Sequence, residues 1–205
     1  MSRRPAMIIG SGGHAHVIAS FLGGADIRFV VEGPARAADQ IAQTELFAGS
    51  LPDADFYIGI GNNAIRRRYF NQLTALGAAL PACVAPNAWV AADAQLGRGL
   101  LIAAGAVVGA RAVLGDNMIV NTLSSVDHDC VLGDDVQLTA GVTLGGDVRI
   151  GRGSYLGIKS CVLPGLTLGE NVEVMAGSVV VRPAPDGVLL GGNPARVMRS
   201  ADRPA

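Results

Sequence analysis

A parallel β-helix of hexapeptide repeats, preceded by a small α/β domain, is what this sequence of 205 residues predicts. Three observations carry the expectation. An aliphatic residue recurs at every sixth position from Val84 to Val180, seventeen times without a slip. Four places after each stands a small or aliphatic residue, as at Ala94, Ala106, Ser124, Val136, Ser160 and Ser178. The residues ahead of the repeat instead alternate short apolar runs with helical stretches, separated by glycines. The expected domains are 1–83 and 84–185, followed by a tail over 186–205.

Taken in order, Ala6–Ile9 reads as a strand. Gly10-Ser11-Gly12-Gly13-His14-Ala15 leads into a helical run from His16 to Leu22. A second strand, Ile27 to Val31, ends on the acid Glu32, and residues 33–53 are irregular, with a short helix near 37–43. A third strand from Asp55 to Ile60 runs into Gly61-Asn62-Asn63 and a helix from Ala64 to Leu76. That order argues a small parallel sheet, half of a doubly wound, Rossmann-like domain. Beyond it, a period of six fits neither a helix nor a hairpin meander. It fits one short strand and one corner per repeat, three repeats to a coil. The aliphatic points inward, the small residue fills the corner, and seventeen repeats make between five and six coils, a prism roughly 27 Å long. The tail from Gly187 to Arg196 closes or edges this prism.

Composition excludes several classes. A net charge of −1 and a pI near 6.3 give no electrostatic case for nucleic acid or an anionic membrane. No apolar run approaches the ~20 residues of a membrane span. Cys83, Cys130 and Cys161 form no CxxC and are odd in number, which suits reduced thiols and the cytoplasm.

Two places carry candidate chemistry. Gly10-x-Gly12-x-x-Ala15 between a strand and a helix is the dinucleotide fingerprint, with Glu32 about twenty residues on for a ribose. Backbone N–H groups at the helix start receive phosphate; the alternative is a tight turn with no ligand. The domain has room for one mononucleotide half, which suits a nucleotide-sugar better than NAD. Gly61, Asn62 and Asn63 lie on the same carboxyl edge. In the repeat, His128 is two residues past the inward Val126 and so points outward, with Asp129 beside it to fix its tautomer. Eighteen residues on, one coil higher, is Gly146. A base with bare backbone above it suits acyl transfer; the alternative is a surface histidine. A flat face is a poor pocket, so a second chain is expected to supply the opposite wall.

The Gly10–His14 loop, Gly61-Asn62-Asn63 with Arg66, Asp127-His128-Asp129-Cys130 and Gly191-Gly-Asn193-Pro194-Ala195-Arg196 together resemble the two-domain sugar acyltransferases of the hexapeptide superfamily. These include bacterial nucleotide-aminosugar N-acetyltransferases and sialic-acid O-acetyltransferase-like proteins. The resemblance covers nearly the whole chain. It implies a left-handed β-helix, a homotrimer with active sites between subunits, and acetyl-CoA between neighbouring prisms, with no metal. His128 would be the base, Asp129 its orienter, and Gly146 the donor to the thioester oxygen. Ile158 and Ala176 would line the pantetheine path and Arg196 would reach a CoA phosphate. Gly10, Ser11, Gly12, Gly13, His14, Glu32, Gly61, Asn62 and Asn63 would hold the nucleotide-sugar, and Asn121 would touch the sugar. The chain departs from the family pattern at Gln137, where relatives often carry a second histidine, and at Val31-Glu32-Gly33, where they often pair two acids.

The implied reaction is acetylation of the amine, at C4, of a nucleotide-linked deoxy-aminosugar for bacterial surface glycans. Its rivals are O-acetylation of a sugar hydroxyl and a non-catalytic trimeric nucleotide-binding scaffold. An NAD-dependent oxidoreductase is disfavoured by the missing half-sheet. A zinc carbonic anhydrase needs about three protein ligands, and the repeat has one histidine.

Overall fold

The fold is that of a computed structural model, which describes residues 4–23 and 26–199. The first three residues and the last six of the expected tail lie outside the described residues. The chain divides into two compact units, Met1–Cys83 and Val84–Ala205.

In the first unit, β1 (Ala6–Ile9), β2 (Ile27–Val31), β3 (Gln40–Ala42) and β4 (Asp55–Ile58) form a parallel sheet in the order β3-β2-β1-β4. α1 (Gly13–Phe21) joins β1 to β2, α2 (Gln43–Leu46) joins β3 to β4, and α3 (Asn63–Ala75) follows β4. The sheet's apolar runs are buried, as parallel strands covered on both faces require: β1 reads AMII with all four residues buried. α3 starts where the Asn62 side chain accepts the N–H of Ile65 at 3.0 Å, an N-cap. It buries Arg66, Tyr69, Phe70 and Leu73, the i, i+3, i+4, i+7 stripe of one helical face. Tyr69 and Leu73 meet Ile9 and Phe56 in the core. One local expectation is corrected: the short helix placed near 37–43 lies at Gln43–Leu46, and Gln40–Ala42 is an edge strand. Strand β3 is fixed by its pairing with Phe29–Val31, which local sequence does not display.

The second unit is a left-handed parallel β-helix. Two-residue strands repeat from Cys83–Val84 to Val179–Val180, each ending on the aliphatic of the six-residue period. Each strand pairs in parallel with the one eighteen residues away, as Ser125–Val126 pairs with Val107–Val108 and Thr143–Leu144. Three sheets result. Face one contains Ile119–Val120, face two Ser125–Val126 and face three Val131–Leu132. From Ile102 onward the aliphatics are buried, and so are corner residues such as Ala106, Ser124, Val136 and Ser160. The three aliphatics of the first coil are less covered, Val84 at 40% exposure and Val90 and Leu96 half-buried, because that coil has none of its own kind beneath it. In successive corners one residue takes the left-handed conformation, among them Arg111, Leu123, Asp129, Asp147 and Lys159. The tail continues the prism. Leu189–Gly192 extends face one beside Glu173–Val174, then pairs antiparallel with Ala195–Arg199 across a turn with a cis Asn193–Pro194 bond. Among the described residues no helix is long and apolar enough to cross a membrane. The three cysteines are free thiols.

Candidate active site

The corner between faces two and three holds His128. As the chain leaves Val126, the Asp127 carboxylate accepts the backbone N–H of His128 at 2.7 Å, which tightens the turn. The backbone is then tied to both neighbouring coils. Asp129 N–H donates to the Ala110 carbonyl at 2.9 Å, and Asp147 N–H donates to the His128 carbonyl at 2.9 Å. Held in this way, the His128 side chain stands out from the face, 56% exposed.

Its Nδ1 lies 2.7 Å from Asp129 Oδ2. A carboxylate only accepts, so Nδ1 carries a proton, and in the neutral imidazole Nε2 is the acceptor. Asp129 in turn accepts two hydrogen bonds from Arg111, Nε to Oδ1 at 2.7 Å and Nη2 to Oδ2 at 2.8 Å. The Arg111 bonds first, and the His128 bond second, hold the Asp129 carboxyl well below the usual carboxylate range. Asp129 is therefore an anion throughout the physiological range.

Gly146 lies directly above the ring. A Cβ there would stand 2.5 Å from His128 Cε1 and 2.6 Å from Nε2, so only glycine leaves room for the imidazole in this pose. Gly146, Ile158 and Ala176 occupy equivalent places in their corners, two residues after the inward aliphatic. No acceptor among the described residues takes their N–H groups. Beside His128 a cavity of about 390 Å³ opens on face two, walled by Trp89, Val107, Ser125, Asp127 and Thr143.

The predicted residues of this unit do not all meet in one chain. His128, Asp129 and Gly146 come together. Asn121, Ile158 and Ala176 lie on the corner between faces one and two, the other edge of face two. The Asn121 carboxamide oxygen accepts the N–H of Thr122 at 2.8 Å. Gln137 is buried on face one, and Arg196 is an exposed residue of the terminal hairpin. Sequence reasoning passed over Arg111, although it stands eighteen residues before Asp129.

The second candidate site is the carboxyl edge of the small sheet. Gly10, at φ 97°, ends β1 in a conformation that side chains rarely adopt, and α1 starts three residues later with Gly12 as its N-cap. Gly10, Ser11 and Glu32 line a cavity of about 350 Å³ with Val31, Ile65 and Tyr69. Tyr69 Oη donates to Glu32 Oε1 at 2.9 Å, and Arg68 Nη2 approaches the same oxygen at 3.1 Å. Gly12, Gly13 and His14 form the start of α1. His14 packs on Gly61, where a Cβ would be 2.8 Å from its Cδ2. Burial, then the positive charge of Arg66, pushes the His14 pKa down from 6.5. Asn62 is engaged as the cap of α3, and Asn63 opens that helix. Tyr69 was not legible as a site residue, because only the phase of α3 turns it toward Glu32. Among the described residues no group of three or more His, Cys, Asp or Glu is placed to hold a metal ion.

No protein-family model matches the chain. It is 38% identical to the acetyltransferase domain of PglB from Neisseria gonorrhoeae, over 96% of this chain and 100% of that one, with a TM-score of 0.89. That domain is also known in complex with acetyl coenzyme A. The chain is 33% identical to GDP-perosamine N-acetyltransferase from Caulobacter crescentus, over 96% and 97% of the two chains, with a TM-score of 0.88. That structure is a histidine-to-alanine mutant in complex with CoA and GDP-perosamine. Serine acetyltransferase 2 of Arabidopsis thaliana is 35% identical over 77 residues, which are 34% of this chain and 24% of that protein. The chain thus spans about a quarter of the length of the first curated relatives it matches.

Proposed function

The chain belongs to the two-domain hexapeptide-repeat sugar acyltransferases, and on that premise we propose that it carries the acetyl group of acetyl-CoA to the C4 amine of a nucleotide-linked deoxy-aminosugar. Such sugars are building blocks of bacterial surface glycans. The observation that carries this reading is the pose of His128: Nδ1 bound to Asp129, Nε2 free, the ring seated against bare backbone at Gly146.

The chemistry follows from that pose. The sugar amine attacks the thioester carbon while Nε2 of His128 takes its proton, a task suited to an imidazole near neutral pH. The carbonyl oxygen gains negative charge and is met by the N–H of Gly146, which has no partner to give up. As the C–S bond breaks, the proton passes from Nε2 to the departing sulfur. Amine and thioester become amide and thiol, and His128 is again neutral. Holding two substrates at one point supplies much of the acceleration.

The active unit we propose is a homotrimer. The cavity beside His128 is open along one side, and apolar side chains lie exposed on face two and its far edge: Trp89, Val107, Leu123, Ile158 and Met175. Exposed apolar surface of that extent favours association. The edge bearing Asn121, Ile158 and Ala176 would then come from a neighbouring chain. The free amides of Ile158 and Ala176 would meet the pantetheine carbonyls, and Arg196 a CoA phosphate. The nucleotide would lie against Gly10–His14, with Glu32 on the ribose and Asn62 and Asn63 beside the loop. The relatives' recorded ligands, acetyl-CoA in one and CoA with GDP-perosamine in another, support this choice of substrates. Both kinds of substrate are cytoplasmic metabolites, and three unpaired thiols suit that compartment.

The test is thiol release from acetyl-CoA with UDP-, GDP- and dTDP-linked 4-aminosugars, wild type beside His128→Ala. Release with one of them, lost in the variant, is the expected result. Release only with hydroxyl acceptors would reassign the reaction to O-acetylation. Neither binding nor turnover of acetyl-CoA would leave a nucleotide-binding scaffold.

A further inference from the structure

We propose that Arg111 is a positioning residue for the reaction, acting through Asp129 on His128. The inference rests on the reading of His128 as the base. Arg111 sits one coil beneath Asp129, and both take the left-handed conformation, φ 57° and 61°, at equivalent places in stacked corners. That stacking brings the guanidinium fork square onto the carboxylate, two bonds at 2.7 and 2.8 Å. Oδ2 accepts from both Arg111 Nη2 and His128 Nδ1, so three groups are in line: cation, anion, imidazole.

Two consequences follow, one geometric and one electrostatic. An exposed aspartate side chain has rotational freedom of its own, and a single bond from the imidazole does not fix it. The planar fork does, because a bidentate guanidinium fixes both the position and the plane of a carboxylate. Asp129 in turn fixes the ring plane and keeps Nε2 aimed outward. On the electrostatic side, an unaccompanied carboxylate beside an imidazole favours the imidazolium, the form that cannot act as a base. Arg111 offsets that charge while leaving the hydrogen bond intact.

The other charged groups around His128 do not substitute for it. Asp127 is engaged with the His128 backbone N–H. Asp93, below, accepts the Arg111 backbone N–H at 3.2 Å and adds negative charge. Asp147, above, is paired with Arg149 at 3.2 Å. Among the described residues Arg111 is the cation in contact with the dyad.

The same chain contains its own control. Arg98 grips Asp116, also eighteen residues on, with Nε at 3.2 Å and Nη2 at 2.7 Å from Oδ2. That corner has no histidine. A purely structural role for corner arginines predicts the same outcome for both; a positioning role does not.

The experiment compares Arg111→Met, Arg111→Lys, Arg98→Met, Asp129→Asn, Arg111→Met/Asp129→Asn and His128→Ala, measuring kcat and KM against pH. In Arg111→Met, kcat should fall about tenfold with KM for both substrates within about twofold, and the acidic limb of the kcat profile should move to higher pH. Arg111→Lys should restore the limb, since the charge remains, but only part of kcat, since the fork is lost. Arg98→Met should keep the wild-type profile. In the Asp129→Asn background Arg111→Met should add almost nothing, because the two act as one unit. A wild-type profile in Arg111→Met, an equal change in Arg98→Met, or full additivity with Asp129→Asn would each overturn the proposal. Should Arg111→Met not fold, Arg111→Lys alone and with Asp129→Asn decides on the same criteria. Activity surviving in His128→Ala would instead refute the base assignment, so the two failures are distinguishable.

Discussion

Replacing Gly146 with alanine should separate catalysis from folding at a single methyl group. The new Cβ would stand 2.5 Å from Cε1, 2.6 Å from Nε2 and 3.1 Å from Nδ1 of His128. Carbon atoms settle at about 3.5–4.0 Å, so the ring must retreat by roughly 1 Å or more. Gly146 is outside the left-handed region, so alanine meets no backbone strain. The ring is 56% exposed and free to swing into solvent, so the protein itself loses little. Catalysis has no such escape, since a misplacement of roughly 1 Å costs about 10²-fold in rate. The expected result in the thiol-release assay is a kcat lower by about two orders of magnitude, with a melting temperature within about 2 °C of wild type. Gly109→Ala provides the contrast. Its Cβ would meet the backbone of Asp127 and His128 at 2.7 Å, which cannot rotate away, so that variant should lose stability. A Gly146→Ala enzyme within threefold of wild-type kcat would refute the reasoning, because the ring would then work from somewhere other than the Gly146 backbone.

Three further outcomes are expected. His14 has its pKa lowered by burial and by Arg66, so the stability it confers is complete above the ordinary value of 6.5 and drains as pH falls below it. A diphosphate bound at the start of α1 would reverse the shift, so nucleotide binding near pH 6 should take up a proton; calorimetry in buffers of different ionisation enthalpy reads this, and zero uptake would place the phosphates elsewhere. Tyr69→Phe removes a hydrogen bond to Glu32 and should weaken nucleotide affinity about threefold to tenfold, measured by titration, with kcat at saturation unchanged. Gly59→Ala puts a Cβ 2.5 Å from the Ala15 Cα, backbone against backbone, and should destabilise the first unit by about 1–3 kcal/mol in a denaturant titration.

What the sequence disclosed and what it withheld divide along the two units, for a physical reason. In the repeat, residues n and n+18 are stacked by strand pairing, so distance along the chain converts directly into position. Val126 defines inward, His128 is then outward, and adding eighteen finds Gly146 above it. Subtracting eighteen from Asp129 finds Arg111 by the same rule. That partner is equally legible, but it lies down the corner, on the side of the base away from the acyl donor. What the period cannot give is an edge's partner in another chain, and so the roles of Asn121, Ile158 and Ala176 depend on assembly.

The small sheet has no such ruler. Glu32 and Tyr69 are 37 residues apart, and their meeting depends on the strand order β3-β2-β1-β4 and on the phase of α3, neither of which any local motif displays. The glycine loop was visible because its conformational demand is local: Gly10 at φ 97° needs the residue type whatever surrounds it. The Tyr69 hydroxyl serves a distant partner, and from sequence it reads as one more apolar residue in a helical stripe. The same contrast governs how the two sites should respond to mutation. In the corner of the prism, single atoms are set by backbone tied to coils above and below, so small changes such as Gly146→Ala should act sharply on rate and little on fold. At the sheet edge, Glu32 is 71% exposed and held by Tyr69 and Arg68 side chains, so losing one holder should loosen the nucleotide by degrees and leave the acetyl transfer itself unaltered.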